Sequence, residues 1–233
     1  MILDAEYPND ARISNECESL IKAGHEVFLF CLSYNKSFIR QEIINQINVR
    51  RYFCSKISYK LSALANDLSF YSNIMFSKIH DFVLTNDIEV LHIHDIQIAD
   101  ASLKVARKLQ IKTVLDLHEN RPEIMKDYKH VNSFLGKLLI SSKRWKKAEK
   151  KFVNKSDKVV VVTKEAKKEI LTRCDKKNNE IIVYPNTVRQ SFYKNKIINQ
   201  EINETYSNDF VMLYIGNTSK RRGLDTVLDS MNR

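Results

Sequence analysis

Short apolar runs alternate with amphipathic stretches along most of this chain, and that alternation leaves few folds open. Ile88-Glu89-Val90-Leu91-His92-Ile93-His94, Lys112-Thr113-Val114-Leu115-Asp116-Leu117-His118, Val159 to Val162 and Ile181 to Tyr184 read as strands. Between them, Ala99 to Leu109, Phe134 to Val153 and Lys164 to Leu171 carry apolar residues at helical spacing. Upstream, Ile2-Leu3 reads as a strand. Asp10 is placed to cap a helix bearing Ile13, Cys17, Leu20 and Ile21, and Gly24 is placed to end it. The unbroken run Val27-Phe28-Leu29-Phe30-Cys31-Leu32 suits a strand buried on both faces of a parallel sheet. Val49 to Phe53 reads as a further short strand, and Tyr59 to Leu84 as mostly helical. Strand–helix alternation with right-handed crossovers predicts an α/β fold with a Rossmann-like doubly wound parallel sheet. Ligand sites in such sheets lie beyond the carboxyl ends of the strands. Those ends carry Pro8 to Arg12, His94-Asp95, His118-Glu119, Thr163 and Pro185-Asn186.

The polar segment 189–208 reads as a connector. After it, Phe210-Val211-Met212-Leu213-Tyr214-Ile215 predicts a new strand, with a helix expected after Gly223. The expected organisation is one domain over 1–188, a linker over 189–208, and the first βα unit of a second, truncated domain over 209–233. One βα unit cannot bury its own faces.

Composition excludes several classes. No apolar run reaches the roughly 18 residues of a membrane-spanning helix. The first residues lack a basic n-region followed by an apolar core, so the cytoplasm is the expected compartment. Cys17, Cys31, Cys54 and Cys174 form no C-x-x-C pair and are expected as free thiols. The net charge of +10 is concentrated. Between Lys137 and Lys158, nine Lys/Arg face two acids, giving +7. An amphipathic helix there presents a basic outer face that suits anionic lipid, while Trp145 and Phe152 pack inward. No nucleic-acid recognition motif accompanies the charge, and nucleic acid is not an expected partner.

Four constellations carry chemistry. His92 and His94 lie two apart on a strand and share a face, as metal ligands can. Ile96-Gln97-Ile98 offers no further ligand nearby, so no metal is expected. His92 is expected within the sheet, with His94 and Asp95 reaching the cleft. His118-Glu119 at the next strand end can hydrogen-bond a phosphate or a sugar hydroxyl, or exchange protons. Asp10 and Arg12 sit where a helix begins, which favours an anion. Gly216 and Lys220-Arg221-Arg222-Gly223 precede the last helix and suit a diphosphate, although neither G-x-G-x-x-G nor a P-loop occurs.

Taken in order, these segments resemble one family. Tyr7-Pro8-Asn9-Asp10-Ala11-Arg12-Ile13 with Glu16, then Gly24-His25-Glu26-Val27, is similar to the opening of GT-B-fold, family 4-like glycosyltransferases. Val90-x-His92-x-His94-Asp95, then Asp116-x-His118-Glu119-x-x-Pro122-Glu123, resembles their middle strands. Ile182-Val183-Tyr184-Pro185-Asn186 resembles the close of their first domain, and Tyr214-Ile215-Gly216-Asn217 to Asp225 the start of their donor domain.

The resemblance implies the acceptor-side half of such an enzyme, an incomplete chain. The implied reaction moves a sugar from a nucleotide-sugar co-substrate with retained configuration and no other cofactor. The acceptor would be a glycan or a lipid-linked glycan of cell-surface polysaccharide synthesis, at the inner face of the plasma membrane. It implies His118 and Glu119 as catalytic residues. Arg222 and Gly216 are implied at the donor phosphates, and Asp10, Arg12, His94, Asp95 and Asn186 on the acceptor side. The competing readings are a non-catalytic binding subunit completed by a partner donor domain, and a metallohydrolase using His92, His94, Asp95 and His118.

Overall fold

The computed structural model describes residues 1–60, 70–124, 141–188, 192, 194, 199–218 and 222–231. It divides into two compact units, Met1–Asn186 and Thr187–Arg233.

The first unit is built on an eight-stranded sheet: β1 Ile2–Leu3, β2 Phe28–Ser33, β3 Gln41–Ile44, β4 Ile47–Phe53, β5 Val90–His94, β6 Lys112–Leu117, β7 Lys158–Val161 and β8 Ile181–Val183. Their order is β3-β4-β2-β1-β5-β6-β7-β8. Every pairing is parallel except β3 with β4. Strand order reverses at β1, so the crevice between the carboxyl ends of β1 and β5 is the topological switch point.

The described helices of this unit are α1 Ala11–Lys22, α2 Lys56–Lys60, α3 Phe70–Thr85, α4 Ala99–Leu109, α5 Arg121–Ile124, α6 Ser142–Lys155 and α7 Lys164–Arg173. Side chains alternate between the sheet's faces and feed two cores. Leu3, Leu29 and Cys31 join Ile13 and Cys17 of α1 on one side. Ile2, Phe30 and Leu32 join Tyr71, Met75, Ile79 and Phe82 of α3 on the other. There Phe30 stacks on Tyr52 with centroids 4.6 Å apart and meets Phe82 edge-on at 5.7 Å. All four cysteines are free and buried.

Two sequence expectations change in this unit. β3 was not foreseen. It returns to β4 through Asn45 and Gln46, both at positive φ (49° and 66°), the conformation of a two-residue type I′ hairpin turn. Glycine, the usual marker of that turn, is missing from it. Thr163, grouped with the chemical strand ends, instead caps α7 by accepting the Ala166 N–H at 3.0 Å. Thr163→Ala is expected to lower stability by about 1 kcal/mol in urea unfolding, with an unchanged value arguing against the cap. The helix expected from Phe134 is described from Ser142 onwards, and residues 134–140 lie outside the described residues, as do 61–69 of the Tyr59–Leu84 stretch.

In the second unit, the segment expected to link the domains holds a six-residue helix, α8 Gln200–Thr205, and Gly223 at φ +69° leads into α9 Leu224–Met231. The strand expected over Phe210–Ile215 does not form. Phe210 and Ile215 are 93% and 86% exposed. Among the described residues this segment has no strand beside it, and a strand exists only through the ladder it shares with a neighbour.

Candidate functional site

A cavity of about 440 Å³ opens at the switch point. Asp4 follows β1, Asp10 caps α1 and Arg12 lies in its first turn, Asp95 follows β5, His118 and Glu119 follow β6, and Asn186 follows β8. Six residues singled out from sequence therefore line one cleft: Asp10, Arg12, Asp95, His118, Glu119 and Asn186.

The loop after β1 is braced by Asp10. Its carboxylate accepts the backbone N–H of Arg12 at 3.0 Å, capping α1, and pairs with the Arg12 guanidinium at 2.7 Å. Burial opposes the charge on Asp10, but Arg12 and the two backbone N–H groups outweigh it and hold its carboxyl below the usual range. Asp95 takes a left-handed conformation, φ 75°, which Asp and Asn tolerate better than most residues. It lies 3.2 Å from His118 Nε2. Burial disfavours the charged forms of both. The contact between them, with Arg121 and Arg12 near Asp95, reverses this, so Asp95 titrates below and His118 above its ordinary value. Glu119 is half exposed and lies 3.4 Å from Arg121. The floor is thus a partly buried His118–Asp95 pair flanked by two guanidiniums, suited to hydroxyls and phosphoryl oxygens.

His94 is a correction. It was expected in the cleft, yet it is fully buried beneath it, 3.2 Å from Asp116 and 3.8 Å from Glu16. It shares its face of β5 with His92, and α1 covers that face; Asp95 reaches the cleft because its left-handed backbone breaks the strand's alternation. The grouping of His92, His94, Asp95 and His118 expected for a metallohydrolase is likewise divided, with His118 paired to Asp95 above and the other two histidines below.

Gly216 and Arg222 belong to the second unit, and Lys220 and Arg221 lie outside the described residues. Asp4 and Arg121 line the cleft and were missed. Asp4 was legible by the same strand-end rule, since it directly follows Ile2-Leu3. Arg121 stands three residues past His118 and carried no separate signal.

Asp4 is held far from its ordinary titration range. Burial, and then Asp95 nearby, push its carboxyl up to about 7 despite a hydrogen bond from the Tyr71 hydroxyl and the nearby Arg121.

None of the curated proteins compared with this sequence matches it. Among solved structures, sucrose-phosphate synthase from Thermosynechococcus elongatus superposes with a TM-score of 0.68 at 11% identity, over 94% of this chain and 52% of that one. A trehalose-6-phosphate synthase structure, from work on glycosyl transfer with retention using bisubstrate glycomimetics, gives 0.55 at 12%, over 89% and 53%. Os79 from O. sativa in complex with UDP gives 0.55 at 13%, over 94% and 60%. At such identities the likeness is one of fold: the chain spans about half the length of these structures and has the Rossmann-like sheet of a GT-B half. The profile described as Glycosyltransferase Family 4 matches residues 12–192, from Arg12 at the cleft's first loop to beyond the last strand. The chain belongs to glycosyltransferase family 4.

Proposed function

We propose that this chain provides the acceptor side of a glycosyltransferase that moves a sugar from a nucleotide-sugar donor to a glycan or lipid-linked glycan of the cell surface, with retained configuration. The observation that carries the reading is the His118–Asp95 pair set between Arg12 and Arg121 at the switch-point cleft. Sugar transfer leaves a diphosphate, and cations fixed before the reaction stabilise the charge that develops on it without reorganising. His118 and the two arginines provide such cations, while Asp10, Asp95, Glu119 and Asn186 offer acceptors and donors to sugar hydroxyls. Arg222 and Gly216 are the residues we assign to the donor phosphates.

The test is a transfer assay with labelled nucleotide-sugars against lipid-linked and free glycan acceptors. Transfer that is lost in His118→Ala supports the proposal. Acceptor binding with transfer only on adding a separate donor domain would instead fit a binding subunit. Neither transfer nor acceptor binding would overturn both.

The site of action is proposed to be an anionic membrane face, reached through the basic helix over 137–158, of which residues 137–140 lie outside the described residues. No helix among the described residues is long and apolar enough to cross a membrane. α6 buries Trp145, Glu149 and Phe152 and turns Lys143, Lys147, Lys150 and Lys155 to solvent. Lys146 is engaged with Glu123 and Glu169, and Lys151 lies 3.9 Å from Asp100. Changing Lys143, Lys147, Lys150 and Lys155 together to Gln is expected to weaken sedimentation with phosphatidylglycerol vesicles at least about tenfold, since each contributes on the order of 1 kcal/mol near such a surface. Binding that stays unchanged would remove the membrane from the proposal.

A further inference from the structure

Beneath the cleft, four side chains from three elements meet around one point. His92 and His94 project from the same face of β5. The β5–β6 register sets Asp116 beside His94, and Glu16 of α1, one turn beyond Arg12, reaches the same place. Their nearest ligand atoms all lie within 4.8 Å of one another. His94 is 0% exposed, Asp116 2% and Glu16 8%. Five atoms here have no hydrogen-bond partner: Glu16 Oε2, His92 Nε2, both ring nitrogens of His94, and Asp116 Oδ1. His94 Nδ1 lies 3.2 Å from Asp116 Oδ2.

A buried polar atom without a partner costs about 1–3 kcal/mol, and buried charges persist where they are paired or coordinate a metal. The group offers one ligand atom from each of two imidazoles and two carboxylates.

We propose that Glu16, His92, His94 and Asp116 bind one divalent transition-metal ion, with zinc the best match. Two imidazole nitrogens and two carboxylate oxygens are a borderline-soft set suited to zinc, and two carboxylates neutralise a dication. Bonds of about 2.0–2.1 Å in a tetrahedron place ligand atoms about 3.4 Å apart. Glu16 Oε2 lies 3.8 Å from both His92 Nε2 and His94 Nε2, near that value. Rotation of the Glu16 and His92 side chains would draw in the rest. His92 also lines a cavity of about 700 Å³ with Val27 and Glu89, at the amino ends of β2 and β5. The ion would enter there, away from the sugar cleft.

All four positions are taken by protein, so the site is structural and leaves no place for a hydrolytic water. It fastens α1 to β5 and β6. These elements carry Arg12, Asp95 and His118 into the cleft, each within four residues of a ligand. The sequence hid the site because the histidines' own segment offers no third ligand; the fold supplies the others from 76 positions upstream of His92 and 22 downstream of His94.

The experiment is metal analysis of the full chain, purified without chelator and with any affinity tag removed, followed by dialysis against chelator and return of zinc. Expected are about one zinc per chain, a Tm that falls by roughly 5 °C or more on removal and recovers with zinc, and visible absorption on cobalt substitution. His92→Ala and Glu16→Gln should each lose the metal; if either fails to fold, the dialysis arm on the unaltered chain still decides. Less than about 0.1 metal per chain with no Tm response to zinc would overturn the site. Full metal content in both variants would also overturn it. Neither readout depends on sugar transfer.

Discussion

Asp4→Asn is expected to make the chain more stable at pH 8 by on the order of 3 kcal/mol and to leave its stability near pH 3.5 almost unchanged. Asp4 is 6% exposed, and burial is the main reason its carboxyl is pushed up to about 7. The folded state thus holds this proton more tightly than the unfolded state does, where an aspartate titrates near 3.8. Below 3.8 both states are protonated, and the contribution is fully present. As pH rises towards 7, the unfolded chain releases the proton while the folded chain keeps it, and stability falls. Above 7 the folded chain carries a desolvated carboxylate, and the loss is complete. Asparagine has nothing to titrate and keeps an oxygen that can accept from the Tyr71 hydroxyl. Urea unfolding at several pH values reads the result: the two stability curves should meet near pH 3.5 and separate up to about pH 7. Curves that run parallel would show that Asp4 does not titrate in this way. A residue that costs stability and faces the cleft fits a pattern in which sites hold groups that folding alone would discard.

The fold was legible where one interaction decides structure. β5, β6 and β7 are apolar runs whose burial on both faces fixes them as central parallel strands, and helical periodicity marks α1 and α4 between them. β3 was not, because its burial alternates weakly at a sheet edge and Asn45-Gln46 turns without glycine. Phe210–Ile215 shows the opposite failure: strand propensity is plain, but propensity supplies no neighbour.

The cleft followed the same division. The rule that strand ends carry ligands found Asp10, Arg12, Asp95, His118, Glu119 and Asn186, since it depends only on chain order. Which face a residue takes depends on its partners. His94 was expected beside Asp95 and lies beneath it, because strand parity keeps His94 on the covered face while the left-handed turn lifts Asp95 out. The meeting of Glu16 with Asp116 could be read only from the register of β6 against β5 and from the helix laid over them.

On the proposed function, and with the donor side present, Asp95→Asn is expected to lower kcat of sugar transfer about 100-fold while KM changes by less than about threefold. Asparagine adopts the left-handed backbone of position 95 as readily as aspartate, so the loop keeps its course and the change is confined to the charge. His118 then loses its carboxylate partner at 3.2 Å. Burial still opposes the charged imidazole, so on the proposed function His118 is held less firmly and charged less readily beside the donor phosphate. On the proposed function Asp95 acts through His118 as a positioning residue, so the two changes should not add: Asp95→Asn with His118→Ala should be no slower than His118→Ala alone. A purely structural role would predict less folded protein with the same kcat per folded molecule, which active-site titration would expose. An Asp95→Asn enzyme within about threefold of the original kcat, or additive losses in the double variant, would separate the pair and return His118 to the role of a loop histidine that merely borders the cleft.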